Sequence, residues 1–287
     1  MTQQQWTNTV AIQKDGALYP EGWRSLSDAP ETLFAVGNMQ LLKERKFAIV
    51  GSRRTPANAL KVGAQIAKEL SEEFVIVTGT ADGGDGAAIE GALLGSGKVI
   101  CILAGGFSAI PQGNFSLLKR VAERGLLLSP YPYETPVRSF SYEYRNKLLA
   151  KISEGVLVLG AAEKSGALIT AKHAKKFEKP IFALPYAPGS AAGEGCNALL
   201  KKGGYLTETA ADVLEVFGIE KSQSKPTVTL SAEEQRLYDA LRELSEGHIG
   251  ELALKAGVPA FKARSILSAL EVKGLAVALG GNRYSVC

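Results

Sequence analysis

Six short apolar runs organise the first three-quarters of the chain: Phe47–Val50, Val75–Thr78, Val99–Leu103, Leu126–Ser129, Gly155–Leu159 and Ile181–Leu184. A pattern repeats along them, in which an apolar run leads to a glycine-rich turn and then to a helix-like segment. After the first run, for example, Val62, Ile66, Ala67 and Leu70 form a stripe at helical spacing. Runs without alternating polar positions suit strands buried on both faces of a parallel sheet, with helices as crossovers. The pattern predicts an α/β fold: an extended Rossmann-like domain with a mostly parallel sheet over residues 45–218, its ligand site at the strands' carboxyl ends. Residues 1–44, punctuated by Pro20, Gly22, Trp23 and Pro30, are expected to be an irregular lead-in packed on that domain.

The pattern changes near Gly218. The polar string EKSQSKPTVT lacks periodicity and predicts a linker over 219–230. Beyond it, Ser231 stands before two glutamates as a helix N-cap, and Leu237, Leu241 and Leu244 form an apolar stripe. His248 to Ala256 predicts a second helix, and Pro259 opens a third that runs to about Lys273. Gly280-Gly281-Asn282 lies between two short apolar segments, which is a hairpin signal. Three helices and a terminal hairpin predict a small winged-helix domain over residues 231–287.

Composition narrows the class. No apolar run approaches the roughly 20 residues that span a bilayer, and the N-terminus lacks the basic start and apolar core of a signal peptide. Cys101, Cys196 and Cys287 stand singly, with neither metal-type spacing nor an even set for bridges. The expectation is a reduced, cytoplasmic protein with no membrane association, structural metal or cofactor. The net charge is +4. From Pro226 onward seven Lys/Arg balance seven Asp/Glu, so the positive excess belongs to the region with the glycine turns.

Those turns carry the candidate chemistry. Gly51-Ser52-Arg53-Arg54 follows the first strand and precedes a helix, where backbone N–H groups and the helix dipole favour an anion. A hydroxyl and two guanidinium groups with no acid point to a nucleotide or a nucleic-acid backbone. Gly79 to Gly86 follows the second strand; its glycines serve either close ligand approach or a tight turn, and Asp82 and Asp85 serve either as ligands or as helix caps. Gly105-Gly106, after the third strand, carries the same ambiguity. Phe140 and Tyr142 precede Arg145-Asn146-Lys147, which fits base stacking with phosphate pairing and equally fits core aromatics with surface cations. Ser165-Gly166 opens another helix, whose Lys172, Lys175, Lys176 and Lys179 read as a solvated face. His173 and His248 are the only histidines, and no nucleophilic triad suggests itself. No Walker sequence is present, and the third glycine and the ribose-binding acid of a dinucleotide fold are missing.

Taken in order, these segments resemble the DprA/Smf family (DNA-processing protein A) over residues 10 to 287. The resemblance rests on IVGSR, TGTADGGDGAAIEGAL, ILAGGF with Pro111 and Asn114, Phe140 with RNKLLAKIS, SGALITAKHA, and ALP with GEGCNALLKKGG. It implies a protein that binds single-stranded DNA, protects incoming DNA in natural transformation, hands it to a RecA-type recombinase and forms a homodimer. It also implies that Gly51, Ser52 and Arg53 hold phosphate while Phe140, Arg145, Asn146, Ser165, Gly166, Gly195 and Asn197 line the pocket. The matched segments add Gly105, Gly106, Asn114, Lys147 and Thr170. Four positions depart from the family pattern: Asp82 stands for an arginine, Ile89 for a histidine, Gly160 for an acid and Gly193 for a serine. A second reading is a nucleotide sensor or an enzyme similar to nucleoside-monophosphate phosphoribohydrolases, with Arg53 on a phosphate and Glu90 at the glycosidic bond. A third treats the chain as an interaction scaffold, because the last helix offers only Lys262, Arg264 and Lys273 as cations.

Overall fold

The computed structural model describes residue 6, residues 8–220 and residues 230–286. The chain forms two compact units, residues 1–220 and 221–287. The linker expected over 219–230 lies almost wholly outside the described residues.

In chain order the first unit comprises β1 (Val10–Gln13), α1 (Glu21–Arg24), β2 (Thr32–Gly37), β3 (Lys46–Val50), α2 (Ala57–Leu70), β4 (Val75–Thr78), α3 (Gly84–Leu94) and β5 (Val99–Ile102). It continues through α4 (Phe115–Arg124), β6 (Leu126–Ser129), α5 (Ser139–Ile152), β7 (Val156–Val158), α6 (Ala167–Lys176), β8 (Ile181–Ala183), α7 (Glu194–Lys201), β9 (Tyr205–Leu206) and α8 (Ala210–Val216). One sheet holds all nine strands in the order β1-β2-β6-β5-β4-β3-β7-β8-β9. The seven strands from β6 to β9 in that order are mutually parallel, and β2 and β1 join antiparallel at one edge. The chain winds outward from β3 to β6 and then returns to place β7 on the other side of β3. The loops after β3 and β7 therefore diverge at a topological switch point, where open α/β sheets bind ligands.

Strand periodicity sends alternate residues into two layers. Phe47, Ile49, Ile76, Cys101, Leu127 and Leu157 share one core with α2, α3, α4 and α8. Ala48, Val50, Val77, Ile100, Leu128 and Val158 share the other with α5 and α6. Fully burying a side chain such as Phe47 contributes about 1.5–3 kcal/mol, which explains why the central strands read as unbroken apolar runs.

Two sequence expectations need correction. The lead-in is not irregular, because β1 and β2 extend the sheet. In β2, Leu33 and Ala35 are buried between half-exposed neighbours, a period-2 signal hidden by the surrounding prolines and glycines. Val62 is 39% exposed; the buried face of α2 is Ala59, Gly63, Ile66, Ala67 and Leu70. The stripe is displaced because Gly63 meets Leu159 directly, leaving no room for a side chain.

The second unit comprises α9 (Ala232–Leu244), β10 (Glu246–His248), α10 (Ile249–Ala256), α11 (Ala260–Val272), β11 (Ala276–Ala278) and β12 (Arg283–Val286). The antiparallel sheet β10-β12-β11 closes on a core of Leu237, Leu241, Leu252, Leu267 and Leu270. This is the element order of a winged helix. Ser231 and Glu234 close a reciprocal capping box at the start of α9.

Candidate nucleic-acid interface

The switch point is built from backbone contacts between loops. Ser52 N donates to Gly160 O at 2.8 Å, tying the loop after β3 to the loop after β7. Gly84 N donates to Ser52 O at 3.3 Å, tying it to the loop after β4. A Cβ at Gly84 would lie 2.3 Å from Gly51 Cα, and Gly83 adopts φ +82° against Ser52 O. The two glycine turns thus need glycine to accommodate one another. The first turn does not itself open a helix: α2 begins at Ala57, after Pro56, and borders a separate cavity with Leu184, Pro185 and Tyr186. The helices whose starts lie at the cleft are α6, through Gly166 and Ala167, and α3, through Asp85.

Beneath these turns sits a buried charge pair. Asp85, in the first turn of α3, accepts from Ala81 N at 3.2 Å and lies 3.9 Å from Arg145 Nη1. Both side chains are buried. Burial pushes the Asp85 carboxyl up from its usual range, while Arg145 and the N–H groups of Ala81 and Gly51 oppose that shift. Arg145 also donates from Nε to Asn146 Oδ1 at 2.9 Å and from Nη1 to Ile102 O at 3.2 Å. Its position follows from helix periodicity, since Tyr142, Arg145, Asn146 and Leu149 occupy one face of α5.

Above the pair opens a cleft of about 470 Å³. Gly51, Ser52, Arg53, Arg145, Asn146, Ser165, Gly166 and Thr170 come together in its walls. Arg54 and Tyr142, which the sequence offered as a second guanidinium of the first turn and as a stacking aromatic, line it as well, and so does Lys164, beside Ser165. Tyr142 was legible from its spacing of three residues before Arg145. Four cations, Arg53, Arg54, Arg145 and Lys164, face this space with one acid, Asp85. Arg145 matches that acid, and the side chains of Arg53, Arg54 and Lys164 make no ion pair or hydrogen bond among the described residues. The Thr170 hydroxyl is buried without a hydrogen-bond partner among the described residues, and Asn146 Nδ2 donates to Gly166 O at 3.3 Å.

A second cavity of about 220 Å³ adjoins the first and shares Arg53, Ala81, Tyr142 and Arg145 with it. Gly105, Gly106 and Asn114 lie here, with Asp82. Gly106 is required by the chain itself, since a Cβ there would strike the carbonyls of Pro132 and Tyr133. Asn114 Nδ2 donates to Thr80 O.

The remaining candidates fall outside both cavities. Phe140 is 59% exposed near the start of α5. Lys147 is on the opposite face of that helix, paired with Asp28 of the N-terminal segment. Gly195 packs on Ala161 and Leu168, and Asn197 braces Tyr186 through its Oδ1 and Nδ2. Glu90, on which the hydrolase reading depends, pairs with Arg120 at 2.7 Å and borders neither cavity.

A model of the DNA recombination-mediator protein A family matches residues 10–218. The chain belongs to that family. It is 36% identical over 215 residues to the DNA processing protein DprA of Bacillus subtilis, covering 74% of this chain and 72% of that one. The X-ray structure of DprA from Streptococcus pneumoniae superposes with a TM-score of 0.69 at 32% identity, over 73% of this chain and 75% of the other. A structure of DprA from Helicobacter pylori, described for its single-stranded DNA binding mode, gives 0.68 at 29% identity, over 76% and 98%.

Two departures from the DprA pattern have a steric cause. Tyr186 donates its hydroxyl to Leu159 O at 2.6 Å, and burial raises its pKa to about 12. A Cβ at Gly193 would lie 2.0 Å from Tyr186 Cγ, and one at Gly160 would lie 2.6 Å from Thr55 Oγ1 and 2.9 Å from the Tyr186 hydroxyl. Tyr186 fills the space that a larger residue at Gly193 would need, and Thr55 together with the Tyr186 hydroxyl fills it at Gly160. Ile89 is a buried core residue of α3, so that position carries no polar function here.

Proposed function

We propose that this protein binds single-stranded DNA through the cleft at the switch point. The observation that carries this reading is the excess of free cations over acid in the first cavity, beside a partly exposed tyrosine. Arg53, Arg54 and Lys164 would take backbone phosphates and Tyr142 would offer a ring face to a base. The H. pylori relative described as a single-stranded DNA binder supports the same assignment. Asp85 does not oppose it, because its charge is already matched from within.

The wider role follows the family: protection of incoming single strands in transformation and their transfer to a RecA-type recombinase, by a cytoplasmic homodimer. No helix among the described residues is long and apolar enough to cross a membrane. The role asked of the chain is binding rather than catalysis. Glu90, tied to Arg120 away from the cleft, speaks against the phosphoribohydrolase alternative.

The test is a fluorescence anisotropy titration with labelled single and double strands of equal length at several salt concentrations. Single strands are expected to bind more tightly, and Arg53→Ala is expected to weaken binding and reduce the salt slope by about 1. Equal affinity for duplex, or no effect of the substitution, would refute the assignment.

A further inference from the structure

Asp82 is out of place in a phosphate site. Its carboxylate is exposed, lines the second cavity, and makes no ion pair or side-chain hydrogen bond among the described residues. A phosphate brought to it would be repelled, so the strand's backbone belongs over Arg53, Arg54 and Lys164 in the first cavity. What enters the second cavity must then suit its walls. Leu103, Ala104, Ile110 and Pro111 give part of it an apolar wall, Thr80, Asn114 and the two arginines a polar one, Tyr142 and Val137 stand exposed at the rim, and the volume is about 220 Å³. A slot with both apolar and polar walls and an aromatic rim, beside a phosphate site, fits a nucleobase, a flat ring with polar edges, turned out of a single strand.

The chemistry of the bases then selects one of them. A carboxylate has two oxygens side by side and only accepts hydrogen bonds. On its pairing edge adenine sets an amino group beside a ring acceptor, and cytosine does the same. Thymine places one N–H between two carbonyls. Guanine alone presents two adjacent donors, the ring N1–H and the 2-amino group, to which a carboxylate pairs in bidentate fashion. We infer that the cavity beside the phosphate cleft is a guanine-preferring base subsite, read by Asp82. This rests on the single-strand reading above and adds a base preference to it. Arg53 and Arg145, common to both cavities, form the ridge between the phosphate and base positions.

The experiment uses the full chain and labelled oligothymidylates of about 12 nucleotides. One is all thymine, one carries a single central guanine, and one carries inosine there, which keeps N1–H and lacks the 2-amino group. The guanine strand is expected to bind about tenfold more tightly than the all-thymine strand, with inosine between them. Asp82→Ala and Asp82→Asn should abolish the ranking. Both should also raise affinity for the all-thymine strand, because one acid fewer faces the phosphates. Equal affinity of the wild type for all three strands, or a guanine preference that persists in Asp82→Ala, overturns the base subsite. In the first case single-strand binding itself stands. Failure of every strand to bind overturns the single-strand reading and the subsite with it.

Discussion

Asp85 and Arg145 illustrate how an anion site can contain a buried carboxylate without cancelling its own field. The acid anchors the turn after β4 through Ala81 N–H and steadies the arginine that separates the two cavities. Removing it should leave a buried guanidinium without its counter-charge. Asp85→Ala is expected to cost about 2–4 kcal/mol in urea unfolding, whereas Asp85→Asn, which keeps an acceptor for Ala81 N–H, should cost less. Comparable losses in the two variants would mean that the charge both of them remove, and not the acceptor or the packing that Asp85→Asn keeps, sets the role of this residue. Tyr186 poses a steric version of the same question. Gly193→Ala would place a methyl 2.0 Å from the ring, an overpacking expected to cost about 1–3 kcal/mol. Tyr186→Gly, which also removes the tyrosine Cβ that would lie 2.2 Å away, should make that methyl tolerable, so the double variant should lose less than the sum of the singles. Simple additivity would show that the ring does not exclude a side chain there.

At the scale of elements, α5 joins the site to the edge of the fold. One face carries Tyr142, Arg145 and Asn146 to the cleft. The opposite face carries Tyr144, Lys147 and Leu148 to the N-terminal segment, where Tyr144 donates to Asp28 O and Trp23 Nε1 donates to Leu148 O at 2.9 Å. The hydrogen bond from Lys147 holds the Asp28 carboxyl below its usual range. Because the folded-state value is depressed, its stabilisation is present above the ordinary aspartate value of 3.8 and is lost as pH falls through the folded one. Asp28 is 48% exposed, so the contribution is modest, about 0.2–1 kcal/mol. Wild type should exceed Asp28→Asn by that amount in urea unfolding at neutral pH, and the difference should vanish once the pH falls below the depressed folded-state value. The same helix marks the limit of what the chain discloses before folding. The strands β3 to β8 were legible because burial on both faces leaves an unbroken apolar run. Arg145 and Asn146 were legible as a pair of polar residues beside an aromatic. Lys147, two residues beyond Arg145, turns about 200° around the helix from it, and only its partner in a distant segment reveals its role. The strands β1 and β2 were hidden for a similar reason, since their pairing depends on an edge, β6, that lies far along the chain.

The whole molecule divides its cations unequally between its two units. In the cleft of the first, the side chains of Arg53, Arg54 and Lys164 make no ion pair or hydrogen bond among the described residues. In the second, Lys262 pairs with Glu233, Lys273 with Glu234, Lys255 with Glu243 and Arg283 with Glu246, while Arg264 donates to Asn282. The helix that a winged-helix module would lay in a major groove, α11, thus has its cations engaged by its own unit, and Phe261 stands exposed near its start. Phosphates would have to displace those partners for little net gain in exposed, screened pairs. Each unit has its own hydrophobic core, so a chain ending at residue 220 should fold. That fragment is expected to bind single strands with the affinity and salt slope of the full chain, and residues 230–286 alone should not retard duplex DNA in a gel. A truncated protein that loses duplex binding the full chain possessed would show that the ion pairs of α11 open on contact with DNA, and would return the second unit to the list of DNA-binding surfaces.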